Sequence, residues 1–333
     1  MTVRAARGVH PLGGAIVLVT ALAAILAPLV GPHAPDDHFS RWLNAPPTLP
    51  HIRDSAGTWQ RPFIYRWRLV DQLEQRYEED RSRPVPLAWF ARGRLVSSAD
   101  EATAPLMLLG TDSFGRDVFT RLLFGARASL GVALTAAIGA MLIGALIGGV
   151  AGVTGGGVDD LLMRGADFVM VLPAMYVALA LRSVLPLVLP SRTVFILLTG
   201  IFATVGAPFV ARGVRAIVRS ERRLDYALAA EALGASRARL LVRHLLPAAR
   251  GFIGVEITML VPAFVVAEAT LSYVGLGFPD PVASWGTMLH DAANVRVFVD
   301  FPWLLSPALA MFAVVLGLNL ALQGRRTGVE SIR

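Results

Sequence analysis

Residues able to do chemistry are few in this chain, and their neighbours decide what they could do. The string Gly110-Thr111-Asp112-Ser113-Phe114-Gly115-Arg116-Asp117 sets two aspartates around an arginine. That chemistry suits ion pairing and helix capping, with Asp112 or Ser113 expected as the cap and Asp117 early in the helix that follows. Glu256 and Glu268 lie twelve residues apart in an apolar run. A proton relay would need a further histidine or acid on a neighbouring run, and none is present, so Glu268 is expected to have a structural or pathway-lining role. The histidines fall within the first 51 residues, at His244 and at His290, all in loops or tails, which disfavours an intramembrane Ser/His hydrolase. Cysteine is absent, which excludes disulfides and thiolate metal sites, and no metal centre is expected. Lysine is also absent, which excludes a Walker A phosphate lysine and Schiff-base catalysis.

The elements holding these residues are mostly apolar. Of 333 residues, 55% are hydrophobic and only 17% charged, with a mean hydropathy of +0.58, the make-up of a polytopic membrane protein. A net charge of +7 signals no nucleic-acid partner, because the arginines lie in loops between apolar runs and not on one basic face. Six helical spans are expected, at about 11–30, 129–153, 161–189, 193–211, 252–273 and 303–323. Gly144, Gly148 and Gly152 form a small-residue stripe on the second, suited to close helix packing. Arg164 and Asp167, three apart near the start of the third, are expected to form an internal salt bridge or to contact a partner subunit.

The expected organisation is a cytoplasmic start and first span over 1–30, then an extracytoplasmic insert over 31–124. A membrane domain follows over 125–324, with a tail over 325–333. The insert is rich in proline and nearly balanced in charge, with Trp42, Trp59, Trp67 and Trp89 expected to pack it or to lie at the membrane interface. Leu69, Val70, Leu73 and Tyr77 recur at helical spacing and predict one amphipathic helix there.

Between the fourth and fifth spans, Arg212 to Arg250 is too polar to cross a bilayer. Good helix formers run from Ala227 to Leu233, Gly234 breaks the run, and Pro247 is expected to stop a second helix. The predicted shape is an elbow standing off the membrane.

Within it, Ala229, Ala230 and Gly234, followed by His244, Leu245, Leu246 and Pro247, resemble the EAA loop of ABC-importer permeases. One position departs: the place of the motif's glutamate, six residues before the glycine, is Leu228, and Glu231 lies one helical turn later. GTDSFGRDVFTRLLFGARASL resembles the GTDxxGRDxxxRLxxGxRxSL segment of dipeptide and oligopeptide ABC permeases. Leu271 to Phe278 and Ser284 to Leu289 resemble the LSFLGLG and SWGxML signatures of that family. The resemblance covers about 109–323.

What the resemblance implies is an all-α, six-helix type I importer permease of MetI-like architecture, with no ATP site or catalytic residue of its own. ATP and magnesium would bind two partner ATPase subunits. A second homologous permease, an extracytoplasmic solute-binding protein and the bilayer would be the other partners. Leu228, Ala229, Ala230, Glu231, Gly234, His244, Leu246 and Pro247 would couple the chain to the ATPase. Ser272, Gly275, Gly277, Trp285 and Gly286, with Glu268, would shape the pathway or outer gate. Substrates would be mainly di- and oligopeptides, with nickel or another small solute as the alternative.

Charge supports the same topology independently. Arg4, Arg7, the 212–250 arginines and Arg325-Arg326 all fall on one side of a six-span chain, as the positive-inside rule requires of a bacterial cytoplasmic membrane protein with both termini inside. A secondary transporter would show inverted repeats, and none is visible. An ABC exporter subunit would lack the EAA-like loop.

Overall fold

The computed structural model describes residues 10–54, 57–173, 176–177, 180, 189–293 and 299–326. Its helices are α1 (Pro11–Ile25), α2 (Ala27–Val30), α3 (Val118–Thr154), α4 (Gly156–Val171), α5 (Ser191–Glu221), α6 (Asp225–Ala232), α7 (Arg237–Leu240), α8 (Arg250–Tyr273), α9 (Trp285–Asp291) and α10 (Ser306–Arg326). Four stretches are long and apolar enough to cross a membrane: Val118–Thr154, Ser191–Glu221, Arg237–Tyr273 and Pro302–Ala321. The first expected span is present as the shorter apolar helix α1, and α4 is the described part of the third. The rest of that third span lies largely outside the described residues.

Contacts divide the chain into two units. One comprises Ala15–Ser129 and Ser272–Val314, the other Met1–Gly14, Leu130–Leu271 and Val315–Arg333. In the second unit, small residues on α3 admit the backbone of α5. A Cβ at Gly148 would overlap the Ala211 carbonyl oxygen, and one at Gly144 or Gly152 would press into Val210 or Val218. The stripe predicted from four-residue spacing is therefore a backbone-contact seam. Val210, Ala211, Val214 and Val218 are buried along it.

The paired charges differ from expectation. Asp167 takes Arg212 of α5, not Arg164, as its ion-pair partner, and Asp159 takes Arg215 and Arg219. Close packing of α4 on α5 brings these groups together, and spacing along one helix carries no sign of it.

The other unit contains a four-stranded antiparallel sheet in the order β1-β2-β3-β4: His51–Arg53, Trp59–Asp71, Arg76–Trp89 and Val96–Ser98. The helix predicted around Leu69–Tyr77 is instead the tip of the β2–β3 hairpin, with Leu69 opposite Tyr77. Alternation upstream, where Phe63, Tyr65 and Trp67 are separated by single residues, outweighs the short helical pattern. Asp71 then stabilises the turn by accepting the backbone N–H groups of Leu73 and Glu74, and Gln75 takes a φ of 53°. Of the four insert tryptophans, Trp42 and Trp67 are half-buried, whereas Trp59 and Trp89 are exposed.

Candidate functional site

In the unit that carries the sheet, the string from Gly110 to Asp117 folds back on itself. Gly110 and Gly115 adopt φ of 69° and 73°, and a Cβ at either would collide with the backbone oxygen of Ala45 or Phe39. Glycine is required at both by backbone conformation and by space. Thr111 Oγ1 accepts the Ala45 N–H at 2.7 Å, and the Trp303 indole donates to the Thr111 carbonyl at 3.1 Å. Asp112 is not a helix cap. Its carboxylate accepts the Phe114 and Arg116 N–H groups at 2.9 Å each and closes the turn. Asp117 is the cap of α3, accepting the N–H groups of Phe119 and Thr120, and His33 Nδ1 lies 3.1 Å from its Oδ2. Because the turn consumes Asp112, helix α3 starts later than expected, at Val118.

Arg116 is the hub of this string. Its side chain is 1% exposed and reaches Asp112 at 2.7 Å, Asp280 at 2.8 Å and Asp291 at 2.7 Å. Arg121, equally buried, donates to the carbonyls of Pro35 and Pro281. Burial pushes the Asp291 carboxyl above the usual aspartate range, against the pull of Arg116 and Arg121. Asp280 and Asp291 were not foreseen, since they lie more than 160 residues away in a stretch notable only for glycine and proline.

The Ser284–Leu289 string joins the same cluster. Ser284 and Thr287 form a reciprocal capping box at the start of α9. The Trp285 N–H donates to Ser129 Oγ at 3.2 Å, and its indole to the Leu122 carbonyl at 3.1 Å. A Cβ at Gly125 would press against the Trp285 ring at 3.1 Å. Gly286 is buried beside it, while Gly275 turns the chain after α8 with a φ of 79°. A Cβ at Gly277 would overlap the buried Ser272 side chain. These residues form a tightly packed clasp. Glu268, in the other unit, is fully buried on α8.

In that other unit, the elbow predicted over 212–250 is shorter than expected: residues 212–221 continue α5, α6 and its flanking turns make the bend, and the chain from Arg237 onward runs into α8. Helix α6 ends at a glycine turn, in which the Gly234 N–H donates to Glu231 O at 2.9 Å and the Ala235 N–H to Ala230 O at 3.0 Å. Gly234 has a φ of 84° with open space around it, so conformation alone demands glycine. Ser236 then caps α7, its Oγ accepting the Arg239 N–H.

One face of α6 is set inward. Ala227 is buried, and Glu231 holds Arg222 at 3.0 Å, whose guanidinium also donates to the Val153 carbonyl at the end of α3. Glu231 thus fastens the elbow to its own chain. The rest of the helix is bare and mostly apolar: Leu228 is 51% and Leu233 89% exposed, with Leu224, Tyr226 and Ala229 exposed as well, and Asp225 adds an exposed acid in the first turn. The Tyr226 hydroxyl donates to Glu221 at 2.7 Å, and partial loss of water around the hydroxyl, followed by that carboxylate, pushes its pKa up to about 12.

Pro247 does not stop the helix. The chain passes from α7 through a π turn at Leu241–Leu245 and a tighter turn at Leu246–Ala249 directly into α8. Pro247 sits at the start of the tighter turn, where its missing N–H costs little, and the wide turn before it makes room for the ring. His244, Leu246 and Pro247 are therefore half-buried on a continuous helical rod.

Long apolar helices joined by a polar elbow define a polytopic membrane protein. A family described as the binding-protein-dependent transport system inner membrane component matches residues 140–325. The chain belongs to that family, as a mostly helical, polytopic membrane permease. The oligopeptide transport system permease protein OppC of Bacillus subtilis (strain 168) is 36% identical over 234 residues, or 70% of this chain and 74% of that protein. A putative peptide permease protein of Brucella suis biovar 1 (strain 1330) is 37% identical over 222 residues, covering 66% of this chain and 72% of its own length. Another Brucella suis protein, a putative peptide transport system permease, is 39% identical over 220 residues, covering 66% and 71%. Among solved structures, an inward-facing MetNI methionine ABC transporter aligns with a TM-score of 0.46 at 17% identity, covering 64% of this chain and 96% of that one.

Proposed function

We infer that this chain is the membrane-spanning permease subunit of an ATP-driven importer of di- and oligopeptides. The peptide permeases among its relatives support the substrate class. The observation that carries the mechanism is the bare, mostly apolar surface of α6, a helix fastened by Glu231 to Arg222. A docking helix needs an adhesive outer face and a rigid inner attachment, and the elbow has both.

In this reading two ATPase subunits bind ATP and magnesium and hold the elbow through Leu228, Ala229, Ala230 and Gly234. Leu228 replaces the acidic contact of the motif with an apolar one, and Glu231 serves as the inner attachment. His244, Leu246 and Pro247 carry the motion into α8 along the continuous rod. Alternating access follows, because a nucleotide state that binds one elbow position better shifts the population of the pathway conformation. Ser272, Gly275, Gly277, Trp285 and Gly286 shape the outer gate, and Glu268 supports the pathway from within α8. A second homologous permease completes the pathway, and an extracytoplasmic solute-binding protein delivers the peptide. The chain lies in the bacterial cytoplasmic membrane with both termini inside. Nickel or another small solute is the alternative cargo within the same family.

The absence of cysteine makes the test clean. In Leu228→Cys, the new thiol should crosslink to an ATPase subunit. In Ala230→Cys, it should react with impermeant maleimide only from the cytoplasmic face. Labelling of Ala230→Cys from the outer face would overturn the reading.

A further inference from the structure

Beside the sheet lies an open cavity of about 550 Å³, lined by β2, the β2–β3 turn and residues 40–43, within the size range of small-ligand sites. One wall is the edge of β2. Strand β1 pairs with β2 only between Trp59 and Phe63, so the later part of β2 has no strand beside it on that side among the described residues. Residues 66–69 all line the cavity consecutively, as expected when a strand presents its backbone edge and not one face. The edge direction is fixed by a hydrogen bond: the Trp42 indole donates to the Trp67 carbonyl at 3.4 Å. A strand residue directs its N–H and C=O to the same side, so the amide groups of Trp67, and of Leu69 two residues on, are aimed at the cavity.

The walls are held in place. Tyr77 donates to the Leu43 carbonyl at 2.7 Å, Asn44 to Gln75 at 2.7 Å, and the Trp67 indole to Thr48 at 3.2 Å. Trp42, Trp67 and Tyr77 make the lining aromatic. Three arginines line the cavity: Arg66 is already bound to Asp80, whereas Arg68 on β2 and Arg41 outside the sheet are exposed and form no ion pair with a described carboxylate. Among the described residues, no Asp or Glu lines the cavity.

We propose that this cavity binds the carboxyl-terminal end of a short extended peptide, which adds as a strand to the 66–69 edge of β2 and sets its terminal carboxylate on Arg41. The edge supplies main-chain hydrogen bonds, the aromatic walls take an apolar side chain, and Arg41 selects a free terminus. The limited volume and short free edge restrict the ligand to a few residues. In the proposed topology the insert lies outside, so this would be a way-station for substrate before the pathway. The proposal rests on the peptide-import reading.

The test measures binding of the tripeptide Ala-Leu-Phe to the full-length chain in lipid nanodiscs, with no receptor present. Three comparisons need no unfolding-prone variant: the free acid, its carboxyl-terminal amide, and a backbone N-methylated analogue. The acid should bind, and the amide and N-methylated forms should each bind about tenfold more weakly or worse. Arg41→Gln, an exposed change, should reduce acid affinity to that of the amide. Equal binding of all three ligands, undiminished binding by Arg41→Gln, or no binding of the acid would overturn the proposal. Peptide uptake by the reconstituted transporter is scored separately. Uptake without binding at this cavity rejects only the cavity, whereas absence of any peptide uptake rejects the import reading itself.

Discussion

Arg116 shows how one residue organises a region. Of its three carboxylate partners, Asp280 is 75% exposed, so solvent screens that arm, which is worth about 0–1 kcal/mol. Asp112 is buried and Asp291 half-buried, and these two arms decide the outcome. Arg116→Ala should destabilise the chain by about 3–5 kcal/mol, because it strands buried charge, while Asp280→Asn should cost less than about 1 kcal/mol. Thermal unfolding of the two variants in detergent checks the contrast. Asp159 offers a pH counterpart. The Arg215 hydrogen bonds hold its carboxyl below the usual aspartate range, so unfolding raises its pKa. The stabilisation is therefore full at neutral pH and fades as pH falls through the lowered value. The stability gap between the natural chain and Asp159→Asn should be constant from pH 8 to about 5 and close in stronger acid. Of these groups, Asp112, Arg116 and Asp117 were legible as a charged string. Their partners were not, because hydropathy and spacing carry no record of which distant loops meet.

At the scale of elements, the contact between α3 and α5 depends on missing side chains. Gly148→Val should cost at least about 1–3 kcal/mol, since the added carbons meet Ala211 backbone, which yields less readily than a flexible side chain. Gly155→Ala, where nothing lies within 4 Å, has only its φ of 65° to strain, about 1–2 kcal/mol. Comparing their melting temperatures separates crowding from backbone strain. The stripe was readable from its four-residue period. The β2–β3 hairpin was misread because four apolar residues at helical spacing coincided with a turn, and alternation upstream carried the stronger signal. Pro247 was misread for a different reason. A proline ends a helix only when the preceding turn cannot widen, and here residues 241–245 widen into a π turn.

For the whole molecule, the elbow is the proposed point where outside work enters. Gly234→Pro, or deletion of 228–236, should leave membrane insertion intact and uncouple the complex. The deletion should also lose the ATPase subunits on purification of the permease. Recovery of those subunits at the natural yield with the deletion would count against docking. The apolar stretches and the polar bend between two of them were legible in composition and order alone, because hydropathy acts on each segment locally. Only the tertiary structure decided that Glu231 faces Arg222, that Asp167 meets Arg212, and that Asp280 and Asp291 close on Arg116. Each depends on how separate helices and loops pack, and a charge takes whatever partner that packing delivers.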